Sequence, residues 1–136
     1  MTTETRQKIT KTDAEWRAQL SDLAYEVTRQ KGTERAGTHE DFPEDPGVFT
    51  CVNCGAPLFD SSTKYDSGSG WPSFYAPVDP QAIEEHADNG MFMRRTEVVC
   101  ARCDAHLGHV FNDGPQPTGL RYCMNGVALD YQPKDE

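Results

Sequence analysis

Residues 97–111 read EVVCARCDAHLGHVF, a stretch in which a pair of cysteines separates two runs rich in β-branched and aromatic residues. Such runs are typical of short β-strands, and the other cysteine pair of the chain follows a similar run, GVFT. Each pair therefore follows a predicted strand, where a tight turn aims two thiolates at one point. Two Cys-x-x-Cys pairs form the ligand set of a tetrahedral zinc ion. We predict one structural zinc ion bound by Cys51, Cys54, Cys100 and Cys103.

Two alternatives to this zinc site remain open at the level of the residues. The pairs could be redox dithiols, or the metal site could include His106 or His109, which follow the second pair closely. With four thiolate ligands the zinc ion has no open coordination position, so it would hold the fold together and take no part in catalysis.

The rest of the chain after residue 46 predicts an antiparallel, mainly β domain. Its segments are short and are separated by Gly, Pro, Asn and Asp: GVFTC, PLFDSS, SFYAPV, MFMRRTEVVC, HLGHVFN and LRYCMNGVALDY. The sequence ADNG at residues 87–90 predicts the turn of a hairpin whose second strand contains Val98 and Val99. We expect this domain to span residues 12–136, after a flexible tail at residues 1–11.

A single amphipathic helix is predicted to precede the strands. Thr12 and Glu15 form a potential capping box. Apolar residues then recur at helical spacing up to Lys31, with Gly32 as the expected C-terminal stop; they are Trp16, Leu20, Leu23 and Val27.

The composition excludes several functional classes. The chain has 136 residues, too few for two ordinary domains, and a formal net charge of −9, which argues against binding to nucleic acid. It contains no apolar run long enough for a membrane span and does not open on a signal-peptide pattern. We therefore expect a soluble, cytoplasmic, monomeric protein without a membrane partner. Five cysteines also cannot all be paired in disulfides.

The fifth cysteine, Cys123, lies in the stretch GLRYCMNGVALDY. Side chains alternate along a strand, so Arg121, Cys123 and Asn125 are predicted to share one face. Arg121 would favour the thiolate form of Cys123, and Asn125 could donate a hydrogen bond to it. The alternative is a buried, inert cysteine. Trp71 in a glycine-rich loop and the histidines of HLGHVFND favour a pocket and a thiol enzyme.

The chain resembles the B-type methionine-R-sulfoxide reductases over residues 10–131. The motifs that carry this resemblance are CVNCG, KYDSGSGWPSFY, RRTEV, CARCDAHLGHVFNDGP and RYCMNG, in the order and spacing of that family. The resemblance implies two antiparallel β-sheets that carry the active site, with the structural zinc joining the two cysteine pairs. It also implies that Cys123 attacks the sulfoxide sulfur, which gives methionine and a sulfenic acid.

The resemblance further implies roles for the residues around Cys123. Trp71 is expected to hold the substrate methyl group, and His106 and His109 to hold the sulfoxide oxygen. Arg121 and Asn125 are expected to prepare Cys123. Phe111 and Asp113 are expected among the substrate-binding residues, with Asp113 positioning Arg121.

Two positions depart from the commoner pattern of the family. Gly126 stands where serine is frequent, a change that we expect to have little effect. Ser69 stands where many members carry a second, resolving cysteine. Without it, the sulfenic acid needs an external reductant, either thioredoxin or glutathione with glutaredoxin.

The implied partners are oxidised proteins or peptides that carry methionine-R-sulfoxide, together with that reductant. A zinc-knuckle protein-interaction module without catalysis is the competing interpretation, and a metal-handling protein is a third. Neither requires a fifth cysteine beside Arg121.

Overall fold

The computed structural model describes residues 9–38, 42, 45–89 and 94–133. The helices are α1 (Asp13–Gln19) and α2 (Asp22–Gln30). The strands are β1 (Gly47–Cys51), β2 (Pro57–Asp60), β3 (Lys64–Tyr65), β4 (Ser73–Phe74), β5 (Ile83–Asn89), β6 (Arg94–Cys100), β7 (His106–Phe111), β8 (Arg121–Met124) and β9 (Leu129–Pro133). Short 3₁₀ turns occupy Ser61–Thr63, Pro80–Ala82 and Gly126–Ala128.

The N-terminal helical region contains two helices, so the prediction of a single helix was wrong. The capping box is confirmed, because the Glu15 amide donates to Thr12 Oγ1 (3.2 Å) and the Thr12 amide donates to Glu15 Oε1 (2.8 Å). Leu20, however, has an extended backbone. Ser21 then accepts a hydrogen bond from the Ala24 amide at 3.1 Å and starts α2. A serine N-cap competes effectively with continuation of the preceding helix.

Helix α2 ends close to the predicted stop. Lys31 takes the left-handed conformation with φ 59°, and the Gly32 amide donates to the Glu26 carbonyl at 3.0 Å. Of the predicted tail, residues 1–8 lie outside the described residues, and the Ile9 amide donates to the Arg102 carbonyl at 2.6 Å.

The strands form two antiparallel sheets, as predicted. The smaller sheet has the order β2-β1-β9 and the larger has the order β3-β4-β8-β7-β6-β5. The hairpin between β5 and β6 is confirmed, but Ala87 pairs with Thr96 and β5 continues to Asn89. The turn was therefore predicted too early, and residues 90–93 lie outside the described residues.

The hydrophobic core lies between the two sheets. Phe59 of the smaller sheet stacks on Phe74 of the larger sheet, with ring centroids 4.4 Å apart, and Phe49 meets Phe74 edge-on at 5.1 Å. In β8 the buried residues Tyr122 and Met124 alternate with residues of intermediate exposure. The larger sheet thus has one face in the core and leaves the face with Cys123 for the site. Within the described part of the chain, no helix has the length and apolar character that crossing a membrane requires.

Candidate active site and metal centre

The four cysteines of the two pairs form a compact cluster. Their sulfur atoms all lie within 4.8 Å of one another. Cys51 and Cys103 are 3.6 Å apart, as are Cys54 and Cys100. A tetrahedral zinc ion with Zn–S bonds of about 2.3 Å places its ligands about 3.8 Å apart. The cluster therefore fits a metal ion of this kind.

The two cysteine turns have the same backbone hydrogen bonds. The Gly55 amide donates to the Cys51 carbonyl at 2.8 Å, and the Asp104 amide donates to the Cys100 carbonyl at 2.9 Å. Gly55 and Asp104 both have positive φ, which closes each turn tightly. Because Cys51 ends β1 and Cys100 ends β6, a bound ion would connect the smaller sheet to the larger one.

The thiols of the cluster influence one another strongly. Hydrogen bonding with Cys100 raises the pKa of Cys51 and lowers the pKa of Cys54. Without a cation, protons must therefore be shared among crowded sulfur atoms, whereas a dication would stabilise all four thiolates. Within the described residues, this is the one group of potential ligands close enough to hold a metal ion, and it contains neither His106 nor His109.

One row of residues crosses five strands of the larger sheet at the position of Cys123. Tyr65 pairs with Ser73, Ser73 with Cys123, Cys123 with His109, and His109 with Glu97. Residues directly opposite one another in a sheet point to the same face. The register of the strands thus brings the predicted nucleophile and one predicted histidine together.

His106 reaches the same face because β7 contains a bulge. The register between β6 and β7 shifts between Val98 and Val99, which leaves Leu107 as the extra residue. The His106 and His109 rings have centroids 5.5 Å apart. Regular alternation would have put residues three apart on opposite faces, so the bulge is what pairs the two histidines.

Cys123 is half-buried and has a hydroxyl beside its sulfur. Ser69 Oγ lies 3.8 Å from Cys123 Sγ, and Ser67 links Ser69 to Ser73 through contacts of 2.8 and 2.7 Å. Burial raises the pKa of the Cys123 thiol, although Ser69 and Arg121 oppose this change. Burial thus has a larger effect on this pKa than the nearby Arg121, and the role of Arg121 in preparing Cys123 stays a prediction.

Arg121 is held between an acid and an aromatic ring. Its Nε and Nη2 donate to the two carboxylate oxygens of Asp113 at 2.9 and 3.3 Å. Its guanidinium carbon lies 4.4 Å from the centre of the Phe111 ring. Asp113 and Phe111 thus fix the position of the cation beside Cys123, and Asp113 contacts Arg121 as expected.

Asn125 is committed to the backbone. Its side-chain amide donates to the Leu107 carbonyl at 3.1 Å, and its Oδ1 accepts from the Glu34 amide at 2.9 Å. These partners differ from the expected contact with the Cys123 sulfur. Asn125 connects the end of β8 to the bulge of β7 and to the segment around Glu34.

Glu34 is a buried residue that the sequence analysis did not identify. Its carboxylate accepts from the amides of Gly126 and Val127, both at 2.9 Å, and its carbonyl accepts from Trp71 Nε1 at 3.0 Å. It therefore connects the predicted substrate platform to the turn that follows Cys123. Nothing in its polar local sequence distinguishes it from exposed glutamates.

Two further polar atoms of the site are buried without a hydrogen-bond partner among the described residues, namely His106 Nε2 and the Tyr65 hydroxyl. Unpaired buried polar atoms are costly, and at a functional site they indicate groups that a ligand or water satisfies. The sequence predicted His106 as a site residue. Tyr65 lies within the motif KYDSGSGWPSFY, but no role was predicted for it.

The family model and the relatives that match this chain indicate the same family. The family model described as "SelR domain" matches residues 20–133. Proteins named "Peptide methionine sulfoxide reductase MsrB" from Hahella chejuensis and Pseudomonas putida are 57% identical over 129 residues and 58% identical over 130 residues. These alignments cover 94% and 95% of this chain, and 93% and 98% of the relatives.

A solved structure supports the fold alone. The crystal structure of the Mis18 'Yippee-like' domain aligns with a TM-score of 0.54 at 18% identity, and covers 68% of this chain and 100% of that chain. The identity to the reductases and the extent of the family match are what decide the classification. The chain belongs to the SelR domain family.

Proposed function

We propose that this protein reduces the R epimer of methionine sulfoxide in oxidised peptides and proteins, with Cys123 as the nucleophile. The relatives named above support the reaction. The observation that carries the proposal is the half-buried Cys123, which lies directly opposite His109. On the same face, Nε2 of His106 is buried without a partner among the described residues.

The reaction transfers one oxygen atom and two electrons. The Cys123 sulfur attacks the sulfoxide sulfur and forms an S–S bond. The sulfoxide S–O bond then breaks while the oxygen bonds to the Cys123 sulfur as a hydroxyl. The S–S bond breaks as well, which releases methionine and leaves a sulfenic acid on Cys123. One thiol and one sulfoxide become one sulfenic acid and one thioether, so atoms and electrons balance.

Proton delivery to the departing oxygen contributes more than activation of the thiol. Lowering a thiol pKa to about 7 gains only about threefold at neutral pH, because nucleophilicity falls with basicity. A positioned general acid typically gives about 10²- to 10⁴-fold. The raised pKa of Cys123 is compatible with this balance, and the two histidines are the candidates for the acid.

Three contacts would select the R epimer. Trp71 takes the methyl group, the two histidines take the oxygen, and the sulfur faces Cys123. Exchange of the methyl group and the oxygen in the S epimer breaks at least one of these contacts. Arg121, held by Asp113 and Phe111, stabilises negative charge as the reaction proceeds.

Recycling of the sulfenic acid is assigned to an external thiol. Four cysteines are committed to the metal cluster, and Ser69 stands where a resolving cysteine would lie. Thioredoxin, or glutathione with glutaredoxin, would therefore reduce Cys123. None of the five cysteines forms a disulfide, which suits the reducing cytoplasm as the site of action.

The metal ion is proposed to be zinc, with Cys51, Cys54, Cys100 and Cys103 as its ligands. When bound, it supplies no chemistry to the substrate because its coordination is complete. It stabilises the connection between the two sheets, and the cysteine side chains that hold it are unavailable as resolving thiols.

The test is turnover of resolved epimers. Methionine formation from each epimer is measured with dithiothreitol as reductant, with C123S as the inactive control of unchanged metal content. We expect the R epimer to turn over with the native chain only. Turnover of neither epimer would favour the interaction module, and equal turnover of both would exclude the three-contact arrangement.

A further inference from the structure

Three serine hydroxyls form a connected network beside Cys123. The loop between β3 and β4 contributes Ser67 and Ser69, and β4 contributes Ser73, which pairs with Cys123 across the sheet. Ser67 Oγ lies 2.8 Å from Ser69 Oγ and 2.7 Å from Ser73 Oγ. Ser69 Oγ lies 3.8 Å from Cys123 Sγ. This serine network therefore runs from the fully buried hydroxyl of Ser73 to the sulfur atom.

The end of the serine network away from the sulfur is the backbone carbonyl of Trp71. Ser73 Oγ donates to this oxygen at 3.2 Å, and Ser69 Oγ lies 3.4 Å from it. A carbonyl oxygen can only accept a hydrogen bond, whereas Cys123 can donate as a thiol and can only accept as a thiolate. The network thus connects one group that always accepts with one group whose role depends on its charge.

Each serine hydroxyl has a single proton, so the network as a whole has two consistent directions. When Cys123 is a thiol, it donates to Ser69, and Ser69 donates to Ser67. Ser67 then donates to Ser73, which donates to the Trp71 carbonyl. When Cys123 is a thiolate, the Ser69 proton turns toward the sulfur. The contacts of Ser67 then require it to donate to Ser69 and to accept from Ser73.

The backbone of the loop prepares the hydroxyls for this role. The Ser69 amide donates to Ser67 Oγ and the Trp71 amide donates to Ser69 Oγ, both at 3.3 Å. A hydroxyl has one donor and two acceptor sites, so each of these two keeps one donor and one acceptor for the network. The loop is held in place from outside, because the Gly37 amide donates to the Gly70 carbonyl at 2.6 Å.

We propose that Ser67 and Ser73 are positioning residues that turn the Ser69 hydroxyl toward Cys123, so that Ser69 donates a charge-assisted hydrogen bond to the thiolate. Their part in the reduction rests on the proposed function, in which Cys123 attacks the sulfoxide. Hydrogen bonds to an ionised group are stronger than those between neutral groups, and connected hydrogen bonds polarise one another. The serine at position 69 thus has a role of its own, distinct from that of a resolving thiol.

The other groups around Cys123 leave room for such a donor. Burial raises the pKa of its thiol, while Ser69, Arg121 and Ser73 oppose this change. The positive charge of Arg121 is shared with Asp113, which it binds through two hydrogen bonds. The remaining titratable groups of this face lie on the neighbouring strands β3, β6 and β7, and are Tyr65, Glu97, His106 and His109.

The experiment compares S67V with S67T, two side chains of nearly equal shape of which only threonine has a hydroxyl. Alkylation by iodoacetamide is followed against pH at the Cys123 peptide by mass spectrometry. Cooperative strengthening of about 10 to 30% per bond predicts that S67V reacts about 1.5- to fourfold more slowly near neutral pH, with a higher midpoint. S67T should recover most of the native rate. S62A, at an exposed serine of the 3₁₀ turn before β3, should match the native chain.

A double-variant cycle tests whether Ser67 acts through Ser69. In an S69A background, S67V should displace the midpoint no further. Circular dichroism and metal content verify the fold of each variant, and S67A replaces S67V if the larger side chain disturbs the loop. A native midpoint without the Ser67 hydroxyl, equal shifts in both backgrounds, or equal shifts in S67T and S67V would each overturn the proposal.

A second measurement reads the direction of the network without alkylation or turnover. The S–H stretching band of Cys123 is isolated as the infrared difference between the native chain and C123S, at a pH below the midpoint. A thiol that donates to a hydroxyl absorbs at lower frequency, so the band should move to higher frequency in S69A. An unchanged band in S69A would overturn the assignment. If the native chain reduces neither epimer while both measurements agree with the network, the proposed function fails and the serine network is retained.

Discussion

The two cysteine environments of this molecule differ in how completely their polar groups are satisfied. At the metal cluster each sulfur has three others within 4.8 Å, and the two turns have matching backbone hydrogen bonds. The Cys123 sulfur lies 3.8 Å from the Ser69 hydroxyl oxygen, and on the same face Nε2 of His106 is buried without a partner in the part of the chain that the structure describes. Polar groups that have all their partners within the protein are typical of a region that stabilises the fold. Buried polar groups without partners are typical of a region that binds a ligand.

The largest effect is expected from C51S, which breaks the closed cluster. Structural zinc contributes apparent binding free energy of about 10 to 16 kcal/mol to small domains, which is as large as the whole unfolding free energy of an ordinary domain, about 5 to 15 kcal/mol. We expect C51S to lose the metal and the cooperative unfolding transition, measured by metal analysis and circular dichroism.

The matched control for C51S is C123S, which changes the cysteine of the proposed active site. It should retain one metal ion per chain and the native unfolding transition while it loses turnover. Loss of metal from C123S would contradict the separation between the two environments.

S69C is expected to let Cys123 form an intramolecular disulfide after turnover. Ser69 Oγ already lies 3.8 Å from Cys123 Sγ, so a short movement of its loop brings a thiol within bonding distance. After one turnover without reductant, mass spectrometry should find a stoichiometric disulfide between positions 69 and 123. In the native chain it should instead find a sulfenic acid that reacts with dimedone. A disulfide from Cys123 to a cluster cysteine in the native chain would contradict external recycling.

E34A is expected to destabilise the backbone next to Cys123 without changing the metal content. Its carboxylate accepts from two backbone amides, at Gly126 and Val127. Leaving buried donors unpaired costs about 1 to 3 kcal/mol each. We expect about 3 kcal/mol lower unfolding free energy in urea. We also expect a higher KM, because the carboxylate anchors the segment whose backbone carbonyl at Glu34 accepts from Trp71 Nε1.

R35A is the control for E34A, since the adjacent Arg35 side chain is exposed. Its unfolding free energy should stay within about 0.5 kcal/mol of the native value. If E34A has the native KM and stability, Glu34 does not connect the two parts of the site.

The smallest effect is expected from S69A on the pH dependence of alkylation. Burial raises the pKa of Cys123, so its reaction with iodoacetamide should have a midpoint above that of an ordinary cysteine. The Ser69 hydroxyl lowers that pKa, so S69A should move the midpoint further up. A midpoint below the ordinary value, or a downward shift in S69A, would show that the thiolate is favoured in the free protein.

The raised pKa also has a consequence for stability. The native state keeps its Cys123 proton at pH values where the unfolded chain has lost it. The contribution of Cys123 to the free energy of unfolding is therefore fully present below the ordinary thiol pKa, and it is lost as pH rises through the raised pKa of the folded state.

Local patterns predicted the parts of the molecule that depend on neighbouring residues. The cysteine spacing placed the metal cluster, and strand alternation placed Arg121 and Cys123 together. The helix prediction failed at Ser21, where one hydrogen bond to Ala24 competed with a long apolar periodicity.

Contacts between residues far apart in the sequence could not be predicted from these local patterns. The place of His106 on the face of Cys123 depends on a bulge in β7, and Asn125 and Glu34 meet across 91 residues. The amide of Asn125 was expected at Cys123, but the Leu107 carbonyl, exposed by the bulge, is its partner. Such partners follow from register and bulge position, which composition and spacing do not specify.

The alternation of β8 has a consequence for the resistance of the protein to oxidants. Met124, the residue after the proposed nucleophile, has no exposed surface, whereas Cys123 is only half-buried. Peroxide therefore has access to the sulfur of Cys123 and is kept from the adjacent thioether, whose oxidation would add a polar oxygen to the core. A single step along the strand thus separates a sulfur atom that oxidants can reach from one that the core protects.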